Sequence, residues 1–128
     1  MNILILSTIP HFCSLYFVIS DKIYFTIIIL SSSFSITWHY CNEPKNYIFY
    51  IDYLLGLIWS IYEIFIVMIY LNEFLFYSIS LNLCVLLTNL ITDEISRKNI
   101  LSYQYSHTIF HIVSFFKTTY LAYKINKT

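Results

Sequence analysis

Long apolar stretches separated by short polar breaks run through the whole chain. Four breaks leave five apolar segments, which cover about residues 2–20, 23–40, 47–71, 74–91 and 100–123. Each segment has about 18 to 25 residues. A helix of that length, at a rise of about 1.5 Å per residue, crosses a hydrocarbon core of about 30 Å. The pattern therefore predicts an all-α protein, an integral membrane bundle of five transmembrane helices.

The breaks are too short to separate domains. Each has about two to eight residues, so consecutive helices should be antiparallel neighbours. We therefore predict that residues 1–128 form a single multi-pass membrane domain. With five antiparallel spans, the breaks after the second and fourth segments, "CNEPKN" and "TDEISRKN", lie on the same side of the membrane.

The composition supports the membrane class. Hydrophobic residues make up 59% of the chain, charged residues make up 11%, and the mean hydropathy is +0.69. The formal net charge is zero, so no basic surface indicates a nucleic acid partner. The first segment has no Lys or Arg ahead of its apolar run and no small-residue cleavage site, which favours a membrane span over a signal peptide. The expected partner is the lipid bilayer of an endomembrane or plasma membrane; a homo-oligomer is left open, although no G-x-x-x-G face supports it.

Five polar residues inside the predicted spans carry the candidate chemistry. Ser35 and His39 are four residues apart near the end of the second segment, Asp52 is near the start of the third, and His107 and His111 are four apart near the start of the fifth. Ionisable residues inside a span are costly and usually functional. Since the two flanking breaks share one side of the membrane, we expect these side chains to converge at one depth.

Three imidazoles at one level are typical zinc ligands, because zinc binds neutral histidine nitrogens and keeps a fourth position open for water in catalytic sites. Asp52 would then bond the water or orient a histidine. The stretch "HTIFH" has the spacing of the H-E-x-x-H zinc proteases but lacks their Glu, which excludes that family. The alternative is that the histidines are hydrogen-bonded across helices without a metal.

Two further ionisable residues lie in the spans. Glu63 is eleven residues after Asp52 and should face the bundle interior. We predict a protonated Glu63 bonded to Asn82 or Thr88, with a second polar site as the alternative. His11 follows Pro10, and we predict a hydrogen-bonding residue beside a helix kink rather than a metal ligand.

The five residues resemble the signature of the CREST superfamily of membrane hydrolases, which includes alkaline ceramidases, adiponectin receptors and myomaker-like proteins. That signature is S-x-x-x-H on one helix, Asp on the next and H-x-x-x-H on the last. Here its positions are Ser35, His39, Asp52, His107 and His111. The flanks "WHYCNEP", "IDYLLGLIW" and "YSHTIFHI" look most similar to the myomaker branch, which also includes a GPI-anchor phospholipase A2. The resemblance covers roughly half of the chain.

The resemblance implies zinc held by His39, His107 and His111, with Asp52 and Ser35 as catalytic residues around the attacking water. It implies hydrolysis of an amide or ester bond in a membrane lipid. A second hypothesis is a non-enzymatic fusion or structural membrane protein in which the metal braces the helices. Family members usually have seven spans. Here the stretch between Asp52 and His107 holds only one further helix, so two helices are missing. Because two are missing, His107 and His111 still enter from the same side of the membrane, but the helices that would help enclose the substrate are absent.

Overall fold

The computed structural model describes residues 3–96 and 99–127, and these residues form helices and turns without a strand. The five α-helices are α1 (Ile3–Thr8), α2 (Lys22–Tyr40), α3 (Tyr47–Tyr70), α4 (Leu75–Ser96) and α5 (Ile100–Ile125). A 3-10 helix continues α1 over Ile9–Phe17, and another precedes α4 over Asn72–Phe74. The prediction of an all-α protein is confirmed.

Polar residues in the sequence breaks begin three of the long helices. Asp21, Asn46 and Asn99 are the N-cap residues of α2, α3 and α5. The side-chain oxygen of each accepts hydrogen bonds from one or two backbone amides of the following turn. Capping of this kind satisfies amides that have no partner within the helix, so the breaks fix where each helix starts.

The first predicted segment is helical but is not one α-helix. The α-helical part ends at Thr8, and the 3-10 helix that follows has Pro10 in its first turn. Pro10 has no amide hydrogen and its ring crowds the preceding turn, which disfavours α-helical bonding there. His11 Nδ1 donates to the backbone oxygen of Thr8 at 3.1 Å, so the predicted hydrogen-bonding role of His11 is confirmed. Asn2, the predicted start of the segment, lies outside the described residues.

The other four predicted segments coincide closely with α2 to α5. The main difference is that α4 continues to Ser96, beyond the predicted end at residue 91. Within the described residues, two helical stretches, Tyr47–Tyr70 and Asn72–Thr92, are long and apolar enough to cross a membrane. The stretch Ile3–Phe17 is apolar but shorter. The length and composition of these two helices therefore support the assignment to the membrane class.

The interior of the bundle contains many polar side chains, while its outer surface carries large apolar ones. Tyr16, Phe76 and Ile19 are each more than 70% exposed. The side chains of His11, Ser14, Ser32, His39, Glu63, Asn82, Thr92 and Thr118 are each at most 3% exposed. Soluble proteins rarely expose so much apolar surface or bury so many polar groups. The helices therefore surround a polar interior, and the candidate site lies in it.

Candidate metal centre

Three histidines from two helices meet inside the bundle. His39 is in the last turn of α2, and His107 and His111 are one turn apart on one face of α5. All three are buried, and one ligand nitrogen of each lies within 4.8 Å of the other two. The predicted convergence of these histidines is confirmed.

The spacing of the nitrogens suits a shared metal ion. His39 Nε2 and His111 Nε2 are 3.1 Å apart. Two ligands of a tetrahedral zinc at 2.0 to 2.1 Å are about 3.3 Å apart, so these nitrogens need almost no movement. The rings of His107 and His111 meet edge to face with centroids 4.8 Å apart. Three neutral nitrogens in this arrangement could hold a divalent metal and leave a further position open.

Hydrogen bonds on the far side of two rings determine which nitrogen faces inward. His39 Nδ1 donates to Glu43 Oε1 at 2.8 Å. The Thr92 hydroxyl donates to the backbone oxygen of Asn89 at 2.8 Å, so its oxygen accepts from His107 Nδ1 at 3.2 Å. Both rings therefore carry a hydrogen on Nδ1, which leaves Nε2 of each as the available ligand atom. Histidines that bind metals usually have such an outer acceptor, which fixes the ring and its tautomer.

Glu43 reaches His39 through a tight turn after α2. Asn42 and Glu43 have φ angles of 63° and 58°, in the left-handed region, although neither is a glycine. The amide of Glu43 bonds the backbone oxygen of Trp38 at 3.0 Å and so closes the end of α2. A left-handed Glu costs free energy and is retained where other contacts require it. Here the turn places the Glu43 carboxylate in hydrogen-bond contact with His39, a candidate ligand.

Replacing Glu43 with Ala should lower the affinity for zinc by about 10- to 100-fold, because His39 loses the acceptor that holds its ring. Competition with a chromophoric chelator in detergent measures this affinity. Glu73→Ala is the matched control, since Glu73 is exposed in the turn before α4. If the affinity is the same for both variants, Glu43 does not orient His39.

A cavity of about 100 Å³ lies beside the histidines. Its α5 wall consists of residues at helical spacing: His107, Phe110, His111, Ser114 and Lys117. Ser35 from α2 and Asp52 from α3 line the same cavity, Ser35 being buried and Asp52 partly buried. Asp52 is not among the three residues whose ligand atoms converge. The structure therefore brings all five predicted residues to one place, with Ser35 and Asp52 around the cavity and the histidines as the potential ligands.

The hydroxyl of Thr8 is a neighbour of the site that sequence reasoning missed. It donates to the backbone oxygen of Leu4 at 2.9 Å, and its oxygen lies 3.4 Å from His111 Nε2. Since its hydrogen is already used, this oxygen is an acceptor toward the site. Thr8, Thr92 and Glu43 are ordinary helix and turn residues in the sequence, and no spacing rule separates them from others.

The predicted partners of Glu63 are wrong. Thr88 donates to the backbone oxygen of Cys84, and Asn82 Oδ1 accepts from Lys117 Nζ at 2.7 Å. Glu63 Oε2 instead forms an ion pair with Lys117, and both side chains are buried. Lys117 was missed in the sequence, although a lysine within an apolar segment is itself a signal of a functional or paired site.

The second oxygen of Glu63 has three donors. Glu63 Oε1 accepts from Tyr24 Oη at 2.6 Å, Trp59 Nε1 at 2.9 Å and Thr118 Oγ1 at 2.7 Å. Together with Lys117 these residues come from α2, α3 and α5. The carboxylate thus accepts hydrogen bonds on Oε1 and is ion-paired through Oε2, which compensates its buried charge.

No protein-family model matches the chain, and no curated protein or solved structure matches it either. Its function is therefore inferred from the geometry of the site.

Proposed function

We propose that the chain is a multi-pass integral membrane protein of five spans that binds zinc and hydrolyses an amide or ester bond of a membrane lipid. Membership of the CREST superfamily, on Ser35, His39, Asp52, His107 and His111, is part of this proposal. The apolar outer surface and the two stretches long enough to cross a membrane support the membrane assignment. Helices α2 and α5 then cross the bilayer with their polar faces turned inward.

The convergence of three histidine nitrogens beside a cavity is the observation that carries the proposal. Neutral imidazoles suit zinc, and neither a thiolate nor a carboxylate belongs to the converging set among the described residues. Three protein ligands are also the number in catalytic zinc sites, which keep the fourth position for water or substrate. The outer bonds of His39 and His107 hold those rings ready for such an ion.

The groups around the cavity have separate roles in the proposed reaction. A bound zinc would supply a Lewis acid that polarises a carbonyl oxygen and acidifies a water molecule. In this proposal Asp52 accepts the proton of the attacking water and passes it to the leaving amine or alcohol. The Ser35 hydroxyl donates to the carbonyl oxygen as negative charge develops on it.

Metal analysis and hydrolysis by the same purified protein test this proposal. We expect one zinc per chain and cleavage of a fluorogenic short-chain lipid amide or ester. Asp52→Asn and Ser35→Ala should each lower kcat by about 100-fold or more while one zinc is retained. Ser33→Ala is the control, because Ser33 is an exposed serine two residues from Ser35. Wild-type protein without stoichiometric zinc would overturn the proposal.

A bracing role for the metal is the second candidate function. It is favoured by the origin of the ligands, since one ion would join α2 through His39 to α5 through His107 and His111. Metal binding to such a site contributes folding free energy directly. In that case zinc removal lowers the unfolding temperature, and Asp52→Asn leaves the biological activity of the protein unchanged.

A further inference from the structure

The cavity has a second polar end, away from the histidines. Lys117 lines it six residues after His111 on α5, about 9 Å along the helix. The buried serines Ser32, Ser60 and Ser114 line it as well, from three different helices. None of these four residues has a role in the proposed hydrolysis, so the hydrolysis does not account for this end of the cavity.

The Glu63–Lys117 pair offers the cavity a hydrogen-bond donor without net charge. The ammonium group of Lys117 has three N–H donors. Asn82 Oδ1 accepts one of them, and Glu63 Oε2 forms an ion pair with the group. At least one N–H is left for the cavity that Lys117 lines, while Glu63 neutralises the positive charge. Because Glu63 already compensates the charge of Lys117, an anionic ligand would gain little attraction at this position.

Two residues in the cavity wall each have a polar atom without a partner among the described residues. Ser32 is 2% exposed, and its Oγ has no hydrogen-bond partner among the described residues. Asn89 Oδ1 is also buried and unpaired within that part of the chain, but Asn89 lies at the histidine end, one turn before Thr92, which contacts His107. Both residues line the cavity. Buried polar atoms are nearly always bonded, so unpaired ones in a cavity wall indicate the site of a polar ligand or water.

We propose that this end of the cavity binds the hydroxylated polar end of a neutral amphiphile, which accepts from Lys117 and bonds to Ser32. A hydroxyl group can accept from the ammonium group and bond to the serine at the same time, because it is both an acceptor and a donor. The inference rests on the proposed function for one point only, the identification of the amphiphile as substrate. The binding itself does not require zinc.

The size of the cavity limits what it holds. A cavity of about 100 Å³ holds several water molecules, since one needs about 10–15 Å³ of probe-occupied space. A glycerol-like group fits such a space, and we expect the alkyl chain of the amphiphile to extend toward the bilayer. Val85 and Leu86 of α4 form an apolar part of the wall.

Binding to zinc-free protein in phosphatidylcholine liposomes tests the inference independently of hydrolysis. The probes are octyl glycerol ether, which has two hydroxyls, octyl methyl ether, which has none, and octanoate. The signal is the fluorescence of Trp59, which lines the cavity and is isolated by the Trp38→Phe replacement. We expect saturable binding of octyl glycerol ether and at least tenfold weaker binding of the other two.

Three variants relate that binding to the cavity. Ser32→Ala should weaken binding about three- to tenfold without loss of stability, because it removes a hydroxyl that has no partner among the described residues. The double variant Glu63→Gln/Lys117→Met keeps the site neutral and should weaken binding about 10- to 100-fold. Gly56→Leu should block the cavity, since a Cβ at Gly56 meets no atom within 4 Å and points into open space; Gly56→Ala is its matched control.

The outcomes separate the inference from the proposed function. Octanoate binding as tightly as the glycerol ether, or no saturable signal with any probe, would overturn the hydroxyl site. Normal binding by Ser32→Ala and by the double variant would overturn it as well. A protein that binds the glycerol ether but no zinc would support the site while refuting the hydrolase. A protein that binds zinc but no amphiphile would refute the hydroxyl site and support the zinc site of the hydrolase.

Discussion

Replacing His111 with Ala should remove zinc from the protein and reduce hydrolysis to the background rate. His111 Nε2 lies 3.1 Å from His39 Nε2 in the centre of the candidate ligand set. Loss of an outer partner alone costs about 10- to 100-fold in metal affinity, so loss of a ligand should cost more than about 100-fold. Zinc per chain, measured on the monodisperse fraction after detergent purification, gives the result.

A second histidine provides the control for that experiment. His11 is as buried as His111 and its ring lies 6.0 Å from it, but it is outside the converging set. His11→Gln keeps a donor for the Thr8 backbone oxygen and should retain the zinc. Zinc retained by His111→Ala, or lost equally from both variants, would contradict the assignment of the ligands.

The histidine cluster could be predicted from the sequence because it depends on local rules. Helix periodicity places His107 and His111 on one face, and the alternation of short breaks brings His39 to the same end of the bundle. Neither rule needs the packing of side chains. The same rules brought Asp52 and Ser35 to the correct region, and the structure places both around the cavity.

The partners of Glu63 could not be predicted in this way. Helix periodicity correctly turned Glu63 inward, but the identity of its neighbour depends on how each helix is rotated and on which helices surround it. The prediction assumed a partner on the next helix along the chain, whereas Lys117 and Thr118 come from α5. The Glu43 contact was missed for a related reason. It depends on a left-handed backbone at Asn42 and Glu43, and the sequence has no glycine there to indicate such a conformation.

Lys117→Met should destabilise the protein by about 3–5 kcal/mol, the usual cost of leaving one member of a buried ion pair without its partner. The carboxylate of Glu63 is 0% exposed, so it would remain buried without its cation. Reversible unfolding in mixed detergent measures the free energy of unfolding. Lys22→Met is the control, since Lys22 is exposed at the start of α2 and should change stability by less than about 0.5 kcal/mol.

The double variant Glu63→Gln/Lys117→Met decides whether charge is the cause. The amide oxygen introduced by Glu63→Gln still accepts from Tyr24, Trp59 and Thr118, and no charge is left unpaired, so we expect most of the lost stability to return. Additive losses would mean instead that Lys117 stabilises the bundle through packing of its aliphatic chain. Zinc content should be unchanged in the double variant, because Lys117 lies about 9 Å along α5 from His111. The buried pair and the histidine cluster are then separable parts of one interior: each member of the pair compensates the charge of the other, and the cluster carries the chemistry.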